Sequence, residues 1–228
     1  MFRLTRAAGR VVLALGLAGA AVVTAAGPGT AQAGPLVPAP PTTTPVTTTP
    51  VTTTTVPAPP TIALVLAPYV GTFDTNNNNF NIATQVLLQF PDLAFATTKP
   101  GTNTVFLPTD YAFRALVKSL TGKVVVPERQ VFQAIQRLGL AKVGAIVRTH
   151  VLRNVRLGYA QALQSNGKAF TTWQGGTLRV QVAVVGRRMV VLQDGATKFA
   201  DPKIINANIR ASNGIIHVID RVLLPANP

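Results

Sequence analysis

Residues 34–61 are dominated by Pro, Thr, Val and Ala and carry no charge, and they include the near-repeat Thr42-Thr43-Thr44-Pro45-Val46 and Thr47-Thr48-Thr49-Pro50-Val51. A stretch of this composition cannot build a core. Each proline fixes its own φ and disfavours helix in the residue before it, so the tract is predicted to be an extended, semi-stiff stalk reaching at most about 85 Å at ~3.1 Å per residue. Threonines set among prolines also suit O-glycosylation. The tract separates a short leader from a long remainder, and the remainder must carry the fold.

The leader, residues 1–33, reads as a signal peptide. Arg3, Arg6 and Arg10 form a positive start, Val11 to Ala26 an apolar run, and Ala31-Gln32-Ala33 a small-x-small cleavage pattern. The run is short for a spanning helix and is interrupted by glycine and threonine, so cleavage after Ala33 and a mature form that does not span the membrane are expected. With no cysteine in the chain there is no lipid-anchor site at the cleavage point, and no disulfide or thiolate metal site supports the fold. These features predict a secreted protein, extracellular or loosely wall-associated, whose domain over 62–228 is held by its hydrophobic core.

The chain has 21 basic against 7 acidic residues, +14 in all, and removal of the three leader arginines leaves +11. A basic exported domain selects anions: an anionic cell-envelope polymer, extracellular matrix or a host surface protein. Nucleic acid is not expected, because one Trp and three Tyr give no basic-aromatic interleaving for base stacking.

Within the domain, Ile62 to Val70 is a short apolar stretch expected to pack on it, followed by a polar loop at Asn76 to Asn79. Ile82, Val86 and Phe90 recur at helical spacing and predict a helix over 81–90, stopped by Pro91. A strand over 104–107 runs into Pro108-Thr109-Asp110, where Thr109 suits an N-cap and Asp110 the positive helix end. The helix that follows has Phe113, Leu116, Val117 and Leu120 on one face. Further helices are predicted over 128–138, with Gly139 as a left-handed cap, and over 142–148, before an extended His150-Val151-Leu152. Beyond Asn166-Gly167 the period changes to two: Leu178, Val180 and Val182 alternate with Thr177, Arg179 and Gln181. Gly186-Arg187 is a predicted hairpin tip, Asp194-Gly195 a turn, and Asn213-Gly214 the entry to a strand over 215–224.

Catalytic patterns are sparse. The domain holds two histidines, His150 and His217, and the serines Ser119, Ser165 and Ser212, none in a nucleophile-elbow setting. The seven acids, Asp74, Asp92, Asp110, Glu128, Asp194, Asp201 and Asp220, are spread along the domain with no clustered pair. No metal-ligand spacing and no phosphate-loop lysine occur, so no metal or cofactor is expected.

Two segments together resemble the fasciclin family. Thr104-Val105-Phe106-Leu107-Pro108-Thr109-Asp110-Tyr111-Ala112-Phe113 is similar to its first signature, and Asn213-Gly214-Ile215-Ile216-His217-Val218-Ile219-Asp220-Arg221-Val222-Leu223-Leu224-Pro225 to its second. Between them, Thr149-His150 stands where the family usually has a Tyr-His pair, and Thr172 to Leu178 resembles its mid-domain turn. The resemblance covers about 76–225. It implies an α+β fold, a β-sandwich wedge with helices packed over it, and a non-enzymatic adhesion or matrix-binding module. A carrier of a small apolar ligand or lipid is the alternative.

Thr109, Asp110, Asn213, Gly214, His217 and Asp220 are thereby expected to serve the fold. His150 is weighed between a core imidazole bonded to a carbonyl and a ligand-binding group. Arg148, Arg153 and Arg156 near the helix-to-strand transition, with Arg187 and Arg188 at the hairpin tip, are the candidates for an anionic partner.

Overall fold

The computed structural model describes residues 58–93 and 102–226; the expected signal peptide, and the expected stalk up to residue 57, lie outside the described residues. The fold is α+β, with helices packed on a β-sheet that shares its other face with a second sheet.

The centre of the domain is a parallel pair. Strands β1 (Asn103–Pro108) and β7 (Gly214–Ile219) run side by side with Thr104 opposite Ile215 and Phe106 opposite His217. Every residue of both strands is buried, as the near-continuous apolar run of a two-face-covered strand requires. Strand β2 (Val151–Leu152) pairs antiparallel with β1, and β6 (Ile204–Ala211) pairs antiparallel with β7, giving the order β2-β1-β7-β6. The two signature-like segments are therefore hydrogen-bonded neighbours. The second sheet is the antiparallel set β3 (Ala169–Thr171), β4 (Thr177–Val185) and β5 (Arg187–Gln193).

Because successive strand residues point to opposite faces, the central sheet feeds two apolar clusters. Val105, Leu107, Ile216 and Val218 join the helix-side cluster. Phe106, Leu152 and Ile219 join a second cluster with Leu178, Val180, Val190 and Leu192 of the other sheet. At ~25 cal/mol per Å2 each fully buried Leu, Ile or Phe stabilises by about 2 kcal/mol before entropy is counted. The alternation predicted for β4 is observed in its first half, where Leu178 and Val180 are buried and Thr177, Arg179 and Gln181 are exposed.

The helices are α1 (Ile62–Leu66), α2 (Asn81–Leu87), α3 (Asp110–Thr121), α4 (Glu128–Gln136), α5 (Leu140–Thr149) and α6 (Tyr159–Gln164). Ile62 and Leu66 are buried in the helix-side cluster, so the stretch ahead of the polar loop belongs to the core. Four local expectations change. Helix α2 ends at Leu87, and Pro91 opens a further helical turn over 91–93, a role its fixed φ suits. Leu120 is 45% exposed and borders a surface groove with Leu138, Phe199 and Leu224. Gly139, at φ 87 and ψ 147, is not a left-handed cap of α4 but the N-cap of α5. Strand β7 stops at Ile219; Val222, Leu223 and Leu224 are buried without strand pairing.

Candidate functional site

The residues nominated at the motifs bond inward. Thr109 Oγ1 accepts the Ala112 N–H at 3.3 Å and caps α3. Asp110 opens that helix but also caps another: its two carboxylate oxygens accept the N–H groups of Asn81 (3.0 Å) and Ile82 (2.8 Å) at the start of α2. Burial pushes the Asp110 carboxyl up to about 7, against the Ile82 N–H and with the nearby Glu128 charge adding to the rise. Asn213 Oδ1 accepts the Ile62 N–H at 3.0 Å and ties α1 to the end of the sheet. At Gly214 a Cβ would collide with the backbone carbonyl oxygen of Asn103, so the close approach of β1 and β7 requires glycine there. Asp220 Oδ1 accepts the Lys203 N–H at 2.7 Å.

Both imidazoles are spoken for. His150 Nε2 lies 3.0 Å from the Leu223 N–H, which only donates, so Nε2 is the acceptor and Nδ1 carries the proton donated to the Ile146 carbonyl at 2.8 Å. Burial holds its pKa down to about 4. His217 stacks on Phe106 at 5.9 Å, donates from Nε2 to the Leu157 carbonyl at 2.7 Å and accepts the Asn208 N–H at Nδ1. Burial lowers its pKa too. Neither ring has a nitrogen left for a substrate or ligand. Ser119 and Ser165 donate to the carbonyls of Ala115 and Gln161. Among the described residues no group of three or more His, Cys, Asp or Glu side chains is placed to hold a metal ion.

The five arginines differ. Arg148 is tied up: its guanidinium pairs with Asp92 at 2.6 Å and lies over the Phe90 ring. Arg153 is exposed and rests on the Trp173 ring at 4.7 Å, a contact that orients the cation while leaving its N–H edge to solvent. Arg156 is exposed on a cleft beside α6. Arg187 and Arg188 are exposed just past the hairpin tip, where Gly186 adopts φ +69, and Arg188 is anchored by donating to the Leu163 carbonyl at 3.1 Å. Arg179 likewise donates to the Gly167 carbonyl at 2.7 Å. These bonds are donated by the guanidinium groups themselves, so each head is anchored on one side while the residue stays exposed.

One signal was present in the sequence and went unread. Between Glu128 and Asp194 there is no acidic residue, while ten basic ones occur. That span runs from α4 to β5 and includes the whole second sheet. The acids instead cap and brace: besides Asp110, Glu128 is buried and accepts from Asp74 N–H (2.7 Å) and Asn81 Nδ2 (3.1 Å), with Arg114 at 3.5 Å. Asp194, also buried, accepts from Ala196 N–H (2.9 Å) and Leu224 N–H (2.7 Å), and burial raises its pKa.

Comparison with known proteins matches the fasciclin domain family over residues 78–225. Protein sll1483 of Synechocystis sp. is 31% identical over 134 residues, which is 59% of this chain and 61% of that protein, so the chain spans under two thirds of that relative's length. Among solved structures, a FAS1 domain pair from the insect cell adhesion molecule fasciclin I aligns with a TM-score of 0.44 at 18% identity, covering 61% of this chain and 43% of that one. On the family match, which takes in both signature-like segments and the sheet that joins them, the chain belongs to the fasciclin domain family.

Proposed function

We propose that the protein is an exported, non-enzymatic adhesion module: the leader is removed, the Pro/Thr tract acts as a stalk, and the domain attaches to an anionic polymer of the cell envelope or matrix. Fasciclin domains generally act in adhesion. The observation that carries the choice of an anionic partner is the acid-free span from Arg129 to Gln193, with Arg153, Arg156, Arg187 and Arg188 exposed upon it. These four arginines form no ion pair among the described residues, so their charge is available to an outside anion, and attachment by such cations weakens with salt.

The test is a pull-down of the chain with its own cell envelope at low and high salt, beside a variant with Arg153, Arg156, Arg187 and Arg188 changed to Gln. Attachment that both salt and the substitutions abolish supports the reading; no attachment at low salt refutes it. A second reading, a carrier of a small apolar ligand, draws on the groove of about 460 Å3 between α3, α5 and the C-terminal segment, lined by Leu116, Leu138, Ile146, Phe199 and Leu224. Copurification of a bound lipid would favour it.

A further inference from the structure

Beside α6 lies a cleft whose chemistry is more selective than its charge. It is an open cleft of about 490 Å3 between α6, the loop before it and the turn leading to β3. Arg156 and Lys168 border it, Phe170 forms part of its wall, Gln161 and Asn166 bring their amides to it, and no acidic residue lines it.

The amides have a fixed polarity. Gln161 Oε1 accepts the Gly158 N–H at 3.0 Å and Asn166 Oδ1 accepts the Val182 N–H at 2.8 Å. A backbone N–H only donates, so these atoms are the oxygens, and each side chain has its NH2 group left to offer. Gln161, Asn166, Arg156 and Lys168 are all exposed. The cleft is therefore rich in donors, and its aromatic ring carries the Lys168 ammonium at 5.3 Å. The scaffold is pinned: Asn208, at φ 62 where β6 is irregular, accepts the Tyr159 N–H at 2.9 Å to hold the start of α6. Arg188 holds the other end through the Leu163 carbonyl.

A donor set of this kind fits a ligand that is both anionic and rich in acceptor oxygens. The Phe170 ring beside it offers an apolar surface to the C–H face of a sugar that a bare inorganic anion would not use. We propose that the cleft is a subsite for an acidic saccharide, one uronate unit of a carboxylated glycan: the carboxylate meets Arg156 and Lys168, and hydroxyl oxygens accept from the Gln161 and Asn166 amides. This rests on the adhesion reading and names the class of polymer it concerns.

Calorimetric titration of the full chain with a trigalacturonate, with a neutral trisaccharide and with inorganic phosphate tests it. The trigalacturonate is expected to bind. Arg156→Gln and Lys168→Gln should each weaken it about tenfold. Gln161→Glu should weaken it more, since it keeps the acceptor for the Gly158 N–H but replaces the donor with an anion. Lys123→Gln, exposed past the end of α3, should leave it unchanged. Unfolding temperatures near that of the unsubstituted chain would show that the losses are not failures to fold. Absence of binding, equal affinity for phosphate or the neutral sugar, or an equal loss from Lys123→Gln would overturn the proposal. Envelope attachment run in parallel separates the two readings. A Gln161→Glu chain that attaches as well as the unsubstituted one overturns the cleft's part and leaves adhesion standing. A chain that takes the trisaccharide but never attaches upholds the cleft and overturns adhesion.

Discussion

The starts of α2, α3 and α4 and the second sheet use charge in opposite ways. Around the helix starts, Asp110 and Glu128 are buried, and Asp74, with a pKa lowered first by the Asn76 N–H, closes the loop between them. Asp110 takes up two N–H groups that the start of α2 leaves without partners, while Glu128 and Asp74 accept from loop N–H groups and asparagine side-chain amides. The span 129–193 itself holds no acid, and apart from Arg148, which pairs with Asp92, cations such as Arg153, Arg179 and Arg188 stand exposed on a ring or a carbonyl with no carboxylate partner. The same residue classes thus stabilise the fold in one region and leave it nearly indifferent in the other, where they are free to serve binding.

The contrast can be broken at its strongest point first. Glu128→Ala should destabilise by about 3–5 kcal/mol, since it strands the part-buried Arg114 and removes the acceptor of Asp74 N–H and Asn81 Nδ2. Urea unfolding checks this, and a loss under ~1 kcal/mol would show that the helix-start acids do not act as described.

A second effect lies in pH. Asp110, raised to about 7 from 3.8, contributes stability that is complete below pH ~4 and lost as pH rises through 7. His150, lowered to about 4 from 6.5, contributes stability present above pH ~6.5 and lost as pH falls through 4. Between those limits the two slopes oppose. Asp110→Asn removes one of them, so that variant should lose on the order of 3 kcal/mol on acidification from pH 6.5 to 4, while the unsubstituted chain changes much less. Unfolding free energies across that range decide it, and parallel profiles would contradict the assignment.

The smallest expected effect is on the other side of the comparison. Arg153→Gln and Arg187→Gln should each shift stability by less than about 0.5 kcal/mol in thermal unfolding, as exposed charges do. A larger loss would mean that these arginines hold the fold together and are not held in reserve for a partner.

How much of this was legible follows from where each signal sits along the chain. Thr109-Asp110 announced the start of α3 because capping is local, and Gly186 marked the hairpin tip because a positive φ is a property of one residue. Helices α1 and α6, five and six residues long, are too short for a 3.6 period to show. Strand β6 was missed because its pairing with β7 shifts register near Asn206 and Asn208, which breaks the alternation. The apolar run at 215–224 looked like one strand. Its second half instead gives the Leu223 and Leu224 N–H groups to His150 and Asp194, and partners 73 and 30 residues away leave no local trace. Of the nominated site residues, sequence placed Arg153, Arg156, Arg187 and Arg188 on the surface, but the Asp92 partner of Arg148 and the two backbone bonds of His150 needed the fold. The acid-free span could have been read directly.

The most direct test compares two variants of equal net charge: Arg153→Gln with Arg187→Gln in the acid-free span, and Lys118→Gln with Lys123→Gln, exposed at and just past the end of α3. Attachment of each to the cell envelope is measured at low salt against the unsubstituted chain. The first pair should lose most of the attachment and the second little, because the position of the charge decides it. Equal losses from both pairs would show that only total charge matters and would contradict a binding role for the arginines of that span.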